Sequence, residues 1–329
     1  MGYSPSQTSG QASAGAHGSV LELIGGTPLI RVRGSVPDLP DQVEVHIKAE
    51  WMNPGGSVKD RAARAIVLDA IERGQLSPGS AKGRALLDSS SGNTGIAYAM
   101  LGAAMGFEVV LCIPENANRE RKRTLQAYGA TLIFTDPNEG SDGAILKAQE
   151  LAGSEPERYY YADQYSNDAN WKAHYESTGP EIVAQTGGRI THFISGLGTS
   201  GTCMGVGRYL RDNTPNARVI AFEPDSPFHG LEGMKHMETA IVPAIYDRTV
   251  AHENRACQTE RGYDGARLLA QRDGIFLGIS AGAAAWTALQ VAKEEAAARR
   301  PAVIVAIGCD GGSRYLSEHF WEEILEDSP

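Results

Sequence analysis

Residues 53–61 read Asn-Pro-Gly-Gly-Ser-Val-Lys-Asp-Arg, and this stretch places a single lysine at the start of a helix. The proline and the glycines interrupt what precedes them, and Ser57 followed by Asp60 is a capping-box pattern that predicts a helix over 58–73. Lys59 is then the second helical residue, where the positive end of the helix dipole disfavours a charged ammonium. A neutral amine attacks carbonyl groups, so we interpret Lys59 as a candidate Schiff-base lysine. A solvated lysine in a capped first turn is the alternative that this stretch alone leaves open.

The composition is that of a globular protein of roughly two domains, because 329 residues with 42% hydrophobic content can bury a large core. The net charge of -10 argues against nucleic acid or an anionic membrane as a partner. No apolar run reaches membrane-spanning length. Residues 1–18 carry almost no aliphatic side chains, which predicts a disordered tail. They lack the apolar core of a secretory signal and the arginines of a transit peptide, so we predict a cytoplasmic protein.

The four cysteines are far apart in the sequence and form no Cys-x-x-Cys pair: Cys112, Cys203, Cys257 and Cys309. Dispersed thiols in a chain of this size predict reduced and mostly buried side chains. The eight histidines show no ligand spacing either. We therefore predict no metal site.

Strands and helices alternate along the chain, which predicts an α/β protein with parallel sheets. Predicted strands cover 29–32, 43–49, 85–88, 109–113, 131–135, 159–162, 190–195, 218–222, 275–279 and 302–307. Predicted helices cover 94–105, 119–128, 143–151, 171–186, 202–212, 260–272, 281–298 and 315–325. A long irregular stretch over 224–247 interrupts the second half, and stretches of this kind are usually functional. Two α/β lobes with a cleft between them is the simplest interpretation.

Three glycine-rich loops follow strands, at the sheet edge where α/β proteins bind ligands. Residues 89–95 (Ser-Ser-Ser-Gly-Asn-Thr-Gly) offer hydroxyls and amides that suit a small carboxylate, although a simple helix cap is the alternative. Residues 196–202 (Gly-Leu-Gly-Thr-Ser-Gly-Thr) have the composition of a phosphate-binding loop. The third loop, 278–283, places the hydroxyl of Ser280 at a strand end.

The second loop also permits a rival hypothesis, because it matches G-x-G-x-x-G and Glu223 follows about twenty residues later. A Rossmann oxidoreductase that uses NAD would place Glu223 on a ribose hydroxyl. It would have no use for Lys59 in the other lobe. The motif also does not open the fold, as the dinucleotide fingerprint usually does.

From about Val20 onward, the chain resembles the fold-type II pyridoxal phosphate enzymes, and within them the cysteine synthase family. The motifs that carry the resemblance are 53–61 for the lysine, 90–95 for the substrate loop and 198–202 for the phosphate loop. Two further stretches, 191–198 and 309–317, look more like the cysteine synthase B branch, which includes O-acetylserine sulfhydrylases.

The resemblance implies a two-lobed fold similar to that of tryptophan synthase β, with parallel sheets, flanking helices and a cleft. It implies a large domain of 19–52 and 167–329 and a smaller, mobile domain of 53–166. A homodimer is also the expectation for this family.

The resemblance also implies a role for each candidate residue in a site for pyridoxal 5'-phosphate. Lys59 would bind the cofactor and act in catalysis, and Asn93 would face the 3'-oxygen of the ring. The other residues implied for the cofactor are Gly198, Thr199, Ser200, Gly201, Thr202 and Ser280. Those implied for the substrate carboxylate are Ser90, Ser91, Asn93, Thr94 and Gln164. Ser90 stands where threonine is usual and Ser200 replaces a glycine, and both changes keep or add a hydroxyl.

The implied reaction is β-replacement on an O-activated L-serine, through an aminoacrylate intermediate, to make L-cysteine. O-acetylserine and O-phosphoserine stay open as donors, and sulfide, thiosulfate and the thiocarboxylate of a sulfur-carrier protein stay open as nucleophiles. A cystathionine β-synthase-like enzyme and a non-catalytic binding protein are alternatives. Within 224–247, Lys235 lies near the position where relatives that prefer phosphoserine carry arginine, so we predict that it contacts the leaving group. A solvated loop lysine is the alternative there.

Overall fold

The computed structural model describes residues 17–79, 83–90, 92–317 and 320–321, which form two β-sheets flanked by helices. The strands in chain order are β1 (Leu29–Val32), β2 (Val43–Ala49), β3 (Ala85–Ser89), β4 (Val109–Pro114), β5 (Thr131–Thr135), β6 (Tyr159–Tyr161), β7 (His192–Gly196), β8 (Arg218–Pro224), β9 (Glu253–Cys257) and β10 (Ala302–Gly308). The α-helices are α1 (Lys59–Glu72), α2 (Asn93–Met105), α3 (Arg119–Ala127), α4 (Gly140–Ser154), α5 (Asp168–Ala173), α6 (Gly179–Gln185), α7 (Gly201–Asn213), α8 (Thr259–Asp273) and α9 (Ile279–Ala297). A π-helical turn, His174–Thr178, joins α5 to α6.

The larger sheet has six strands in the order β1-β2-β10-β7-β8-β9, and the smaller has four in the order β5-β4-β3-β6. All neighbouring strands are parallel except β1 and β2, which are antiparallel. The central strand β10 is buried at all 7 positions. Its sequence, Ala-Val-Ile-Val-Ala-Ile-Gly, is the continuous apolar run that a parallel strand covered on both faces requires. The predicted α/β fold with parallel sheets is therefore confirmed.

The structure contradicts one predicted strand and adds one that the pattern did not reveal. Residues 275–279 form only an isolated bridge, between Leu277 and Gly311, and α9 already begins at Ile279. The side chains of Ile275, Leu277 and Ile279 are buried because they pack in the core of the large sheet, not because they extend the sheet. Phe276 is 37% exposed. Strand β9 was missed because its sequence, Glu-Asn-Arg-Ala-Cys, is mostly polar, as the sequence of an edge strand can be.

Both ends of the chain differ from the predictions or lie beyond the described residues. The predicted helix 315–325 is preceded by a 3-10 turn, Gly312–Tyr315, and residues 318–319 and 322–329 lie outside the described residues. Residues 1–16 of the predicted tail lie outside them too. The first described element is a 3-10 turn, Val20–Leu23, whose Leu21 packs in the same apolar cluster as α1 and α2.

The start of α1 differs in detail from the predicted capping box. Lys59 is the first helical residue, not the second, and Val58 occupies the cap position without a side-chain hydrogen bond. The Ser57 hydroxyl accepts from the Lys59 backbone N–H at 3.2 Å. The Asp60 carboxylate accepts from the Gly55 N–H at 2.6 Å and does not reach back to Ser57. The carboxylate therefore closes the Pro-Gly-Gly turn over the helix end.

A buried ionic network fixes α1 against the large sheet. The Arg61 guanidinium donates to both oxygens of Glu50, at 2.7 and 2.9 Å, and to both oxygens of Glu181, at 2.7 Å each. Lys48 of β2 donates to Glu181 at 2.6 Å, and its side chain is 0% exposed. Although burial opposes it, Arg61 holds the pKa of Glu50 below its ordinary value and that of Glu181 at about 2. Arg61 lies two residues after Lys59, so these contacts leave the start of α1 little freedom to shift.

We predict that Arg61→Met lowers the free energy of unfolding by about 3–5 kcal/mol, because it leaves the fully buried carboxylate of Glu50 without its cation. Arg73→Met, at the C-terminal cap of the same helix, is the matched control. The Arg73 side chain is 63% exposed and pairs with Asp69 on the surface. Its loss should change stability by no more than about 1 kcal/mol. Urea unfolding followed by circular dichroism measures both variants, and equal, small losses in the two would contradict the role assigned to Arg61.

Candidate active site

Lys59 lies at the carboxyl end of β10, the central strand of the large sheet. The backbone N–H of Val58 donates to the carbonyl of Cys309 at 2.8 Å, and Ser57 forms an antiparallel bridge with Asp310. Residues 309 and 310 directly follow β10. The lysine segment thus closes onto the sheet edge where parallel α/β proteins bind ligands.

Ser280 lies beside the lysine, but on a different element from the one predicted. It is the second residue of α9 and not the end of a strand. A hydrogen bond joins its hydroxyl to the thiol of Cys309. Burial raises the pKa of that thiol to about 11, against the opposing charge of Lys59, so Cys309 is a protonated thiol near neutral pH. Lys59 and Ser280 therefore both lie close to Cys309, at the carboxyl end of β10.

The loop 198–202 joins β7 to α7 and has the form of an anion cradle. Ser200 caps α7 in the left-handed region, with φ 69, so that the first N–H groups of a 13-residue helix face the loop. A Cβ on Gly198 would lie 2.2 Å from the Gly233 carbonyl oxygen, and one on Gly201 would lie 1.9 Å from Asn170 Oδ1. The Ser200 hydroxyl is buried and has no hydrogen-bond partner among the described residues. These features suit a phosphate group.

Two side chains that the sequence did not single out support this loop. Asn170 donates to the Thr199 hydroxyl at 3.2 Å and to the carbonyl of Gln164 at 2.7 Å. His174 lies 3.2 Å from the Thr202 hydroxyl through Nε2 and 2.9 Å from Thr178 through Nδ1. Burial lowers the pKa of His174 to about 3, so the ring is neutral. Their spacing of four residues, typical of one helix face, was the signal that could have found them.

The predicted carboxylate-binding residues come together at the edge of the small sheet. The Ser90 hydroxyl accepts from the N–H groups of Gly92 and Gly95, at 3.3 and 3.2 Å, which shapes the loop. The Thr94 hydroxyl donates to Gln164 Oε1 at 2.7 Å. Ser91 lies outside the described residues. Because Gln164 is also held by Asn170, this loop is connected to the anion cradle.

Asn93 connects the same loop to the lysine segment. Its side-chain amide donates to Asp310 Oδ2 at 2.7 Å, and Arg314 donates both to Asn93 Oδ1 and to the carbonyl of Gly55. Burial raises the pKa of Asp310, whereas hydrogen bonds from Tyr315 and Asn93 lower it. Asp310 and Arg314 thus orient Asn93 beside Lys59.

The irregular stretch after β8 borders the anion cradle. The backbone N–H of Lys235 donates to the carbonyl of Leu197 at 2.8 Å, and its ammonium lies 4.9 Å from the ring centre of Tyr165. The side chain is half-buried, and burial lowers the pKa of Lys235. It is therefore not the fully solvated lysine of the alternative interpretation.

Glu223 argues against the dinucleotide hypothesis. One carboxylate oxygen accepts from the backbone N–H of Met237 at 2.7 Å, and the other accepts from Asn254 Nδ2 at 2.5 Å. The carboxylate therefore holds the irregular stretch against β9 and is not presented to a ribose.

A cavity of about 410 Å³ opens between the two sheets. Asn118 and Arg121 of the small-sheet side line it, together with His229, Glu232 and Ile279 of the large-sheet side. Arg121 forms an ion pair with Glu232 across it. Since Ile279 precedes Ser280, the cavity extends to the Ser280 side of the site.

Comparison with known proteins identifies the class of protein. A family model described as "Pyridoxal-phosphate dependent enzyme" matches residues 20–310. The chain therefore belongs to the family of pyridoxal-phosphate dependent enzymes.

The more similar relatives are cysteine synthases. The chain is 50% identical to a cysteine synthase of Aquifex aeolicus over 92% of this chain and 91% of that one. It is 41% identical to cysteine synthase B of Escherichia coli over 92% and 98%. Among solved structures it resembles an O-ureido-L-serine synthase with a TM-score of 0.86 at 38% identity, over 95% of this chain and 98% of that one. The resemblance to the cysteine synthase family, with its cofactor, is thereby confirmed.

The residues of the site fit pyridoxal phosphate. The cradle at 198–202 supplies helix N–H groups and the unpartnered Ser200 hydroxyl for a phosphate. Lys59 supplies a primary amine for an aldehyde, and Ser280 supplies a hydroxyl for a ring nitrogen. No helix in the described part of the chain is long and apolar enough to cross a membrane. Within the same residues, no group of three or more His, Cys, Asp or Glu side chains could hold a metal ion.

We predict that Gly201→Ala weakens pyridoxal phosphate binding at least about tenfold, because the added Cβ must displace Asn170 and, with it, Thr199. Gly153→Ala in α4 is the control, since a Cβ there has no atom within 4 Å. Titration of each apoprotein with the cofactor, followed by its absorbance, measures the affinity. An affinity for Gly201→Ala equal to that of Gly153→Ala would show that the phosphate binds elsewhere.

Proposed function

We propose that this protein synthesises L-cysteine by pyridoxal phosphate-dependent β-replacement on an O-activated L-serine, with sulfide as the nucleophile. The observation that carries the proposal is that Lys59 and Ser280 lie at the carboxyl end of β10, and that the anion cradle at 198–202 follows β7, the parallel neighbour of β10. High identity to cysteine synthases over nearly the whole chain supports the choice of reaction.

We assign the cofactor to residues of four elements. Lys59 binds its aldehyde carbon, Ser280 its pyridine nitrogen, Asn93 its 3'-oxygen, and Gly198, Thr199, Ser200, Gly201 and Thr202 its phosphate. When bound, the cofactor withdraws electrons from the substrate's α-carbon. With the cofactor bound, the amine of Lys59 would remove the proton from the substrate's α-carbon and later return it. The hydroxyl of Ser280, unlike a carboxylate, does not hold the pyridine nitrogen protonated, which favours loss of the β-substituent over transamination.

The substrate carboxylate is assigned to Ser90, Ser91, Asn93, Thr94 and Gln164. The hydrogen bond from Thr94 to Gln164 supports this assignment, because it keeps a hydroxyl and an amide together at the start of α2. We propose that the smaller domain, 53–166, closes on the larger domain, 19–52 and 167–329, when this carboxylate binds. The Arg121–Glu232 pair lies where the two sides would meet.

Three features of the protein's setting belong to the same proposal. We propose that it is a homodimer, that it acts in the cytoplasm, and that the thiocarboxylate of a sulfur-carrier protein is the alternative source of sulfur. Size measurement in solution tests the first. Cysteine formation from a thiocarboxylate-ended carrier in place of sulfide tests the last.

We predict that the holoenzyme forms cysteine from O-acetylserine or O-phosphoserine with sulfide, and that Lys59→Ala lowers the rate by at least about a thousandfold, since both proton transfers at the α-carbon are lost. Lys293→Ala, in the outer part of α9, is the control and should retain wild-type activity. Cysteine is measured by chromatography. A wild-type protein that binds the cofactor and releases no cysteine with either donor would favour the non-catalytic alternative.

Lys235 gives a prediction about the leaving group. Lys235→Ala should lower kcat/KM for O-phosphoserine about tenfold, the scale of one lost charged hydrogen bond, and leave O-acetylserine nearly unchanged. His236→Ala, which changes the adjacent residue of the same stretch, is the control. Equal losses with both donors would mean that Lys235 supports the loop and does not contact the leaving group.

A further inference from the structure

A carboxyl group is buried behind the proposed carboxylate-binding loop. Asp88, the penultimate residue of strand β3, is 0% exposed. One of its oxygens accepts from the backbone N–H of Ser89 at 2.7 Å, and the backbone of Gln164 also donates to the carboxylate. Its other oxygen, Oδ2, is buried without a hydrogen-bond partner among the described residues.

Asp88 thereby contacts both arms of the proposed substrate site. One arm leaves β3 at Ser89 and continues into the loop that ends at Thr94. The other leaves β6 and reaches Gln164, whose side chain accepts from Thr94. The N–H of Ala162 donates to the carbonyl of Leu87 at 2.9 Å, so the two chains are still paired immediately before they separate around Asp88.

Stability alone does not explain a carboxyl at this position. An apolar side chain could fill the same space without the cost of burying an acid that has a free oxygen. The residues that precede Asp88 in β3 are Ala85, Leu86 and Leu87, all apolar and buried. The acid occurs at the point where both arms begin, which indicates a role in the site.

We propose that Asp88 is a positioning residue that holds the two arms of the carboxylate-binding site together and takes up a proton when the substrate carboxylate binds. The inference rests on the proposed function, since it assumes that residues 90–94 and Gln164 bind an α-carboxylate. Protonation follows from charge: a second carboxylate, arriving in front of the loop, disfavours the ionised form of the first.

The surroundings of Asp88 place this proton exchange near neutral pH. The groups that face it are Tyr98 of α2, Cys112 of β4, Tyr160 and Tyr161 of β6, and Asp163 and Tyr165 of the segment that follows. Burial and the charge of Asp163 raise the pKa of Asp88 to about 7, against hydrogen bonds from the backbone of Ser89 and of Gln164. Burial also raises the pKa of each of the four tyrosines and of Cys112, so these stay neutral.

The expected consequence is a substrate affinity that falls as the pH rises through 7. Binding favours the protonated form of Asp88, and above pH 7 the free protein must first gain that proton. If the bound carboxylate raises the pKa of Asp88 by about one unit, the affinity changes about tenfold across the transition.

The test uses the holoenzyme and L-alanine, an amino acid without a β-leaving group, with binding followed by the cofactor absorbance from pH 6 to pH 8. The Kd of each variant is divided by that of the wild type at the same pH, which cancels the titration of the alanine ammonium. For Asp88→Asn, which keeps an acceptor oxygen but does not titrate, this ratio should fall about fivefold from pH 6 to pH 8, the part of the tenfold transition that this range covers. For Glu150→Gln, an exposed charge change on α4, it should stay constant. A constant ratio for Asp88→Asn, or the same trend in Glu150→Gln, would overturn the proposal.

A second variant keeps the test decisive if Asp88→Asn does not fold. Asp163→Asn leaves Asp88 in place and removes the carboxylate that raises its pKa, and asparagine tolerates the φ of 41 at this position. The pH at which alanine affinity changes should shift downward, and an unchanged pH would overturn the proposal.

Binding of L-alaninamide separates a failure of the proposed carboxylate site from a failure of the role of Asp88. If the wild type binds the amide as tightly as alanine, the carboxylate site itself is wrong. If the wild type prefers alanine and the ratios stay flat, only the role of Asp88 fails.

Discussion

The ion pairs of Arg61 are the constraint on which the position of Lys59 depends. A guanidinium with 2% of its side chain exposed binds Glu50, which follows β2, and Glu181, which lies on α6. Buried pairs of this kind add little net stability, but losing one partner is costly because the other is left as an isolated charge. The network therefore fixes the position at which α1 starts. Because Lys59 is the first residue of α1, this also fixes Lys59 at the end of β10.

Beyond the Arg61 network, hydrogen bonds between loops of the two sheets hold the residues of the site together. Asn93 binds Asp310, Thr94 binds Gln164, and Asn170 connects Gln164 to the anion cradle. The contacts of Asn93 and Asn170 join loops that would bind substrate to segments that would bind the cofactor or its lysine, and the Thr94–Gln164 contact joins the two substrate-binding segments to each other. A displacement of one loop is thus transmitted to the others, which gives a physical basis for closure on a bound amino acid.

The sequence predicted the parts of this structure that depend on local pattern. Continuous apolar runs such as β10 identify buried parallel strands, and glycine clusters after them identify the ligand-binding loops. The failures arose where tertiary packing determines the outcome. The apolar residues 275–279 fill the core without joining a sheet, and the polar strand β9 pairs only at an edge. The four-residue spacing of Asn170 and His174 indicates a shared helix face, but their roles could not be assigned because their partners come from loops distant in sequence.

We propose that the Arg61 network places one lysine, Lys59, at the cofactor. Borohydride reduction of the holoenzyme fixes the cofactor to the amine that holds it, and peptide mapping by mass spectrometry then identifies that residue. We predict that the added mass lies on the peptide containing Lys59, and that Lys235→Ala does not change this result. A label on any other lysine, or a protein that binds the cofactor without covalent attachment, would contradict the account.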